Sequence, residues 1–190
     1  MTALIIGGYG EISVAIQAAL LKFGHSLVIW SRSSGVDVRS PEFSASPKPD
    51  FDLDAVVHVA EAGPEGLLNV WSKTQIALEK SFGVFVFISS TEAVIGSTDY
   101  AQSKRKQESF LPTMAKSSRC VRVNCIRLGH VIGTSAWPSG SPLRPEQFLN
   151  AYVSPQDVAD AVVFVLRQPA MTGQVLTLDS GILLNENLHR

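Results

Sequence analysis

Little in this sequence is extreme, and each thing it lacks removes a class of function. It has only two cysteines, Cys120 and Cys125. They stand five apart in what reads as one strand, so their side chains face opposite sides and should not pair. Neither has Cys or His neighbours at metal-ligand spacing, so no metal site is expected, and both read as reduced thiols. There is no basic excess. Sixteen Lys and Arg stand against seventeen Asp and Glu, for a net charge of −1, which argues against a partner with a phosphate backbone. No apolar run approaches the ~20 residues that span a bilayer, and the opening residues lack the basic start of a signal peptide. No membrane or nucleic-acid partner is expected, and the expected location is the cytoplasm. What remains is ordinary: 190 residues, 45% hydrophobic and 17% charged. That suits one domain, 1–190, with a sizeable core.

Apolar runs alternate with helical patterns. Strands are expected at 3–6, 26–30, 35–38, 55–60, 84–89, 121–128 and 174–178. Between them, Ile12, Ala15, Ile16, Ala19, Leu20 and Phe23 recur at helical spacing, which predicts a helix with one buried stripe. Further helices are expected at 64–81, 99–117 and 155–167, with Pro112 ending or kinking the second of these. Continuous apolar strands separated by helices predict an α/β domain built on a doubly wound parallel sheet. Two stretches are rich in proline. Residues 39–51 read as surface linker. Residues 134–147 follow the carboxyl end of a strand, where such sheets bind ligands, and are a candidate substrate cover.

Three short stretches carry chemistry. In "IIGGYGEIS" (5–13), Gly7 and Gly10 would let the backbone turn tightly against a pyrophosphate, and a helix starting near Ile12 would aim free N–H groups at it. The alternative is a plain strand–turn–helix connection. In "SRS" (31–33), Arg32 stands where an acid would bind a ribose 2′-hydroxyl and an arginine accommodates a 2′-phosphate, which favours NADP(H) over NAD(H); the alternative is a surface arginine. In "YAQSK" (100–104), Tyr100 and Lys104 share one helix face, ten residues past Ser90. A tyrosine there can pass a proton to a carbonyl oxygen when a nearby ammonium favours the phenolate.

These pieces, in this order, resemble the short-chain dehydrogenase/reductase superfamily. "IIGGYGEIS" is similar to its T-G-G-x-G-x-I-G turn, with Ile6 for Thr and Ser13 for the last Gly. "VVHVAE" (56–61) and "NVWSKTQIALE" (69–79) resemble segments of the extended branch, as do "ISSTEAVIG" (88–96) and "IRLGHVIG" (126–133). "YAQSKRKQE" (100–108) matches Y-x-x-S-K-x-x-x-E. "RVN" (122–124) and the tail 152–181 look instead like the shorter, ~250-residue branch. The resemblance implies a Rossmann fold of three α/β/α layers. It implies an NADP(H)-dependent oxidoreductase that reduces a carbonyl or oxidises the alcohol of a small molecule, with NAD(H) as the alternative cofactor. It makes Ser90, Tyr100 and Lys104 the catalytic set, with Thr91 a rival for Ser90 and Asn69 the residue that anchors a water to the lysine. Gly7, Gly10, Ile12, Arg32, Asp37, Val38 and Ala60 would contact the cofactor, together with Tyr100 and Lys104. Helices 64–81 and 99–117 form the family's usual dimer surface, so a homodimer is a further expectation.

The departures matter too. About five residues separate Arg32 from Asp37, so the usual helix between the second and third strands is expected to be absent. The stretch from Gly133 to Tyr152 is too short for the usual substrate lobe. An open site follows, for a small or tethered substrate, or one partly completed by a partner subunit. His130, Trp137 and Phe148 lie where substrate contacts would come, though each reads more readily as packing or surface than as a ligand contact. Two other readings compete: a nucleotide-sugar epimerase or dehydratase, and a cofactor-binding sensor or scaffold without catalysis. Glu11 is expected to turn away from the phosphates, because a carboxylate beside them is repulsive.

Overall fold

The computed structural model describes residues 1–184. Six strands form one parallel sheet: β1 (Thr2–Ile6), β2 (Ser26–Trp30), β3 (Ala55–His58), β4 (Val84–Ser90), β5 (Arg122–Leu128) and β6 (Val175–Leu178). Their order across the sheet is β2-β1-β3-β4-β5-β6, every pair parallel. The central strands are mostly apolar because both faces of the sheet are covered. On one face, α1 (Glu11–Lys22) and α6 (Pro155–Arg167) bury Ile16, Leu20, Val158 and Val162 against Ile5, Val57 and Ile126. On the other, α3 (Gly63–Ser81) and α5 (Asp99–Lys116) bury Leu67, Leu78, Leu111 and Met114 against Leu4, Phe85 and Val123.

From β1 the chain moves outward to β2, then crosses back to lay β3 on the other side of β1. That reversal opens a crevice at the carboxyl ends of β1 and β3, where such sheets bind ligands. The "RVN" stretch closes the far edge. The Arg122 guanidinium donates to the Val165, Leu166 and Gln168 carbonyls at the end of α6. Buried Asn124 donates to the Met171 carbonyl and accepts from the Gln174 N–H, which fixes β6 beside β5.

Three expectations need correction. Residues 35–38 form no strand. Ser31 and Ser34 cap one another reciprocally, and Gly35 turns the chain at φ +81°. These local hydrogen bonds replace a ladder along the outer edge of β2. Residues 39–51 are more than linker. They contain the short helix α2 (Pro41–Ala45), capped by Ser40, and its Phe43 is buried with its ring edge-on to Trp30 at 5.4 Å. The buried Lys73 ammonium ties this segment down by donating to the Ser44 and Ser46 carbonyls. Finally, α5 does not end at Pro112 but runs to Lys116. Leu111 and Met114 are buried on either side of the proline, so packing against the sheet holds both halves despite the missing N–H.

Candidate functional site

The glycine turn bridges β1 and α1. Gly7 donates its N–H to the Trp30 carbonyl at 2.8 Å, and its φ of +91° is a glycine conformation. A Cβ on Gly7 would lie 2.9 Å from Ala60 backbone atoms, so no side chain fits. A Cβ on Gly8 would meet the Ile29 side chain at 2.4 Å; the sequence reading assigned Gly8 no role. Gly10 differs: nothing lies within 4 Å of its would-be Cβ, and no side chain caps the helix that starts after it. The first-turn N–H groups of α1 are therefore left for a ligand. Ser13, in the position of the family's last glycine, is 1% exposed. Gln17 reaches back one turn to donate to Ser13 Oγ at 3.3 Å and to the Gly8 carbonyl at 2.6 Å. The serine is thus built into the turn, and the Ser13–Gln17 spacing of four was its only signal in the sequence.

Below this turn lies a cleft of about 810 Å³. Gly7, Gly10, Ile12, Arg32, Asp37, Val38 and Ala60 all line it. Glu11 lines it as well, with an exposed side chain at the start of α1. At its outer end Arg39, absent from the sequence reading, grips Asp37 with two hydrogen bonds of 3.0 Å. That contact holds the Asp37 carboxyl down at about 2. Two guanidiniums, Arg32 and Arg39, therefore face one carboxylate there.

A second cavity of about 370 Å³ opens beside the first. Ser90, Thr91, Tyr100, Lys104, His130 and Trp137 line it. Strand β4 ends in Ser90, whose Oγ accepts from the Glu92 N–H at 3.2 Å; Thr91 is 2% exposed. Tyr100 and Lys104 stand one turn apart on α5, the ammonium 5.5 Å from the centre of the tyrosine ring. Tyr100 is 43% exposed and Lys104 only 3%. The Lys104 ammonium donates to the Ile88 carbonyl at 3.2 Å and pairs with a Glu61 carboxylate oxygen at 2.8 Å. On the buried side is His58; burial, then the nearby Lys104 charge, push its imidazole down to about 3.

Two expected members are elsewhere. Asn69 lines neither cavity; its amide donates to the Val38 carbonyl at 3.0 Å, so it braces the outer end of the cleft and not Lys104. Phe148 is 63% exposed and lies against Gly181, outside the cavity. His130 and Trp137 do belong to the cavity wall, their rings stacked at 3.9 Å. The segment carrying Trp137 is anchored at its base by the Val131–Val153 bridge, and Arg144 covers the outer face of the tryptophan at 5.1 Å. Both cysteines are free, and burial pushes the Cys125 thiol well up.

No protein-family model matches the chain. Solved structures match it over nearly its whole length. An oxidoreductase of the short-chain dehydrogenase/reductase family from Burkholderia thailandensis superposes with a TM-score of 0.82 at 20% identity, covering 96% of this chain and 92% of the other. This chain has the short-chain dehydrogenase/reductase fold. An apo SCOR enzyme from Clostridium thermocellum matches with a TM-score of 0.81 at 19% identity, over 96% and 92% of the two chains. BdcA in complex with NADPH matches at 0.74 and 18% identity, over 95% and 93%. In sequence the chain is similar to carbonyl reductase family member 4 of Danio rerio, 34% identical over 109 residues. That match covers 54% of this chain and 46% of the relative, so the chain matches about half the relative's length. Among the described residues, no helix is long and apolar enough to cross a membrane, and no group of His, Cys, Asp and Glu could hold a metal ion.

Proposed function

We propose that the chain is an NADP(H)-dependent oxidoreductase that interconverts a small carbonyl compound and its alcohol. The observation that carries this reading is the continuity of the two cavities. Ser90, Tyr100 and Lys104 line the smaller one, which shares walls with the cleft under the glycine turn. The bound nicotinamide would supply the hydride. Tyr100 passes its phenolic proton to the carbonyl oxygen, or takes it back in the reverse direction. Lys104 favours the phenolate that results. Ser90 donates to the same oxygen and holds the carbonyl; its hydroxyl is the better candidate because Ser90 is half-buried whereas Thr91, though in the same wall, is only 2% exposed. Gly10 and the open start of α1 receive the pyrophosphate. Arg32, beside Asp37 and Arg39, receives a 2′-phosphate. Ile12 and Val59 give both cavities an apolar wall where they meet. The similarity to a carbonyl reductase family member of Danio rerio and to BdcA, which was solved with NADPH, supports the same substrate and cofactor classes.

NADPH consumption with a panel of small aldehydes and ketones tests this reading, run in parallel on Tyr100→Phe. Turnover of at least one carbonyl is expected, with a loss of about a hundredfold or more in the variant and NADPH binding retained. Unchanged activity in the variant would overturn the mechanism. NADPH binding without turnover of any carbonyl would favour a cofactor sensor.

A further inference from the structure

Five described residues line both cavities: Ile12, Val59, Glu61, Thr134 and Ser135. They mark the junction between the cofactor cleft and the substrate cavity, and Glu61 is the only charged side chain among them. It follows β3 and stands half-exposed, its side chain 51% accessible. Its partner Lys104 is almost sealed, at 4%, and lines the substrate cavity alone. A ligand at the junction therefore meets the carboxylate directly and the ammonium behind it.

On the proposed function, the part of the dinucleotide at this junction must be the nicotinamide, because hydride has to pass from it to a carbon held at Tyr100. That ring is cationic when oxidised and neutral when reduced. A fixed carboxylate distinguishes the two by charge, whereas contacts to the adenine, ribose and phosphate groups are shared by both. We propose that Glu61 is the residue that sets the preference of this site for the oxidised over the reduced cofactor. The same charge moves the equilibrium on the enzyme toward the hydride having been given up, with the carbonyl carbon holding it and the carbonyl oxygen holding the Tyr100 proton. Glu61 thereby favours carbonyl reduction over alcohol oxidation. This inference rests on the dinucleotide reading above.

The test is direct binding, with no turnover required. Dissociation constants for NADP⁺ and NADPH are measured by calorimetry on the parent, Glu61→Gln and Glu61→Asp. In Glu61→Gln the ratio Kd(NADP⁺)/Kd(NADPH) should rise about fivefold to tenfold, as one unit charge a few ångströms away gives at a dielectric between protein-surface and bulk-water values. Glu61→Asp keeps the charge and should keep the ratio. An unmoved ratio in Glu61→Gln overturns the inference while the dinucleotide reading stands. So does a ratio that moves equally in Glu61→Asp, since shape and not charge would then be responsible. If the parent binds neither form, the dinucleotide reading falls and this inference with it.

Discussion

Lowering the pH from 7 to 5 should cost this protein about 2 kcal/mol of stability through His58 alone. His58 closes β3, paired with Ile6 on one side and Phe87 on the other, and is 2% exposed. Its Nε2 has no hydrogen-bond partner among the described residues. Burial and the Lys104 ammonium hold its folded value at about 3, against 6.5 for a free histidine. The unfolded chain thus takes up this proton long before the folded one does. The contribution to stability is complete above pH 6.5 and is lost as the pH falls toward 3, at about 1.4 kcal/mol per unit once below the unfolded value. His25 and His130 are also shifted downward by burial, so the parent's total loss on acidification is larger. The comparison that isolates His58 is with His58→Leu, which cannot be protonated there. Urea denaturation of both proteins at pH 7 and pH 5 should show the variant losing about 2 kcal/mol less than the parent over that interval. Equal losses would refute the reasoning, since His58 would then take up its proton alike in both states.

Arg32→Ala should weaken NADPH far more than NADH, by about tenfold or more at the cost of one charge-assisted contact, measured by titration of each cofactor. Equal losses for the two would remove Arg32 from the phosphate site. Glu108→Gln should destabilise the fold by about 2 kcal/mol, between the surface and buried limits for ion pairs. The reason is that Glu108 on α5 takes both hydrogen bonds from Arg127 on β5, at 3.0 and 2.5 Å, with side chains only 14% and 18% exposed. Calorimetry should record this as a fall in Tm of about 4–8 °C for a chain of this size; a fall below about 1 °C would mean the pair behaves as a surface contact.

Local pattern was enough where local physics decides. The apolar runs that become β1, β3, β4 and β5 read as strands because each is largely buried beneath helices on both faces, while the edge strands β2 and β6, only partly buried, read as strands from their apolar composition alone. Tyr100 and Lys104 were visible as a pair because four residues is one helical turn, whatever else the chain does. Arg127 and Glu108 each belonged to a quoted motif, yet nothing in the sequence said that they bind one another. Asn69 was placed beside the lysine by resemblance alone, and a resemblance between helix segments does not reveal which way a helix face turns. In the structure that face meets the Val38 carbonyl. The strand expected at 35–38 failed because a serine capping pair and Gly35 offered the backbone cheaper local hydrogen bonds than an edge ladder. Phe148 is a surface residue, in line with the packing-or-surface reading of its position, because the segment around it folds on itself, with the Gln147 side chain accepting from the Arg144 N–H and donating to the Ala151 carbonyl.

The amino-acid sequence by itself determined most of the element types, the parallel α/β architecture, the glycine turn and the helix bearing Tyr100 and Lys104. All of these depend on neighbours within about a turn of helix or a single strand. The tertiary structure alone decided that Glu61 reaches Lys104 at 2.8 Å across 43 residues of chain, that Arg39 holds Asp37, and that two cavities share one charged residue at their junction. Those facts depend on where the crossover from β2 to β3 returns the chain. It sets β3 directly beside β1 and within reach of α5, and so places a carboxylate from one crossover against an ammonium from another.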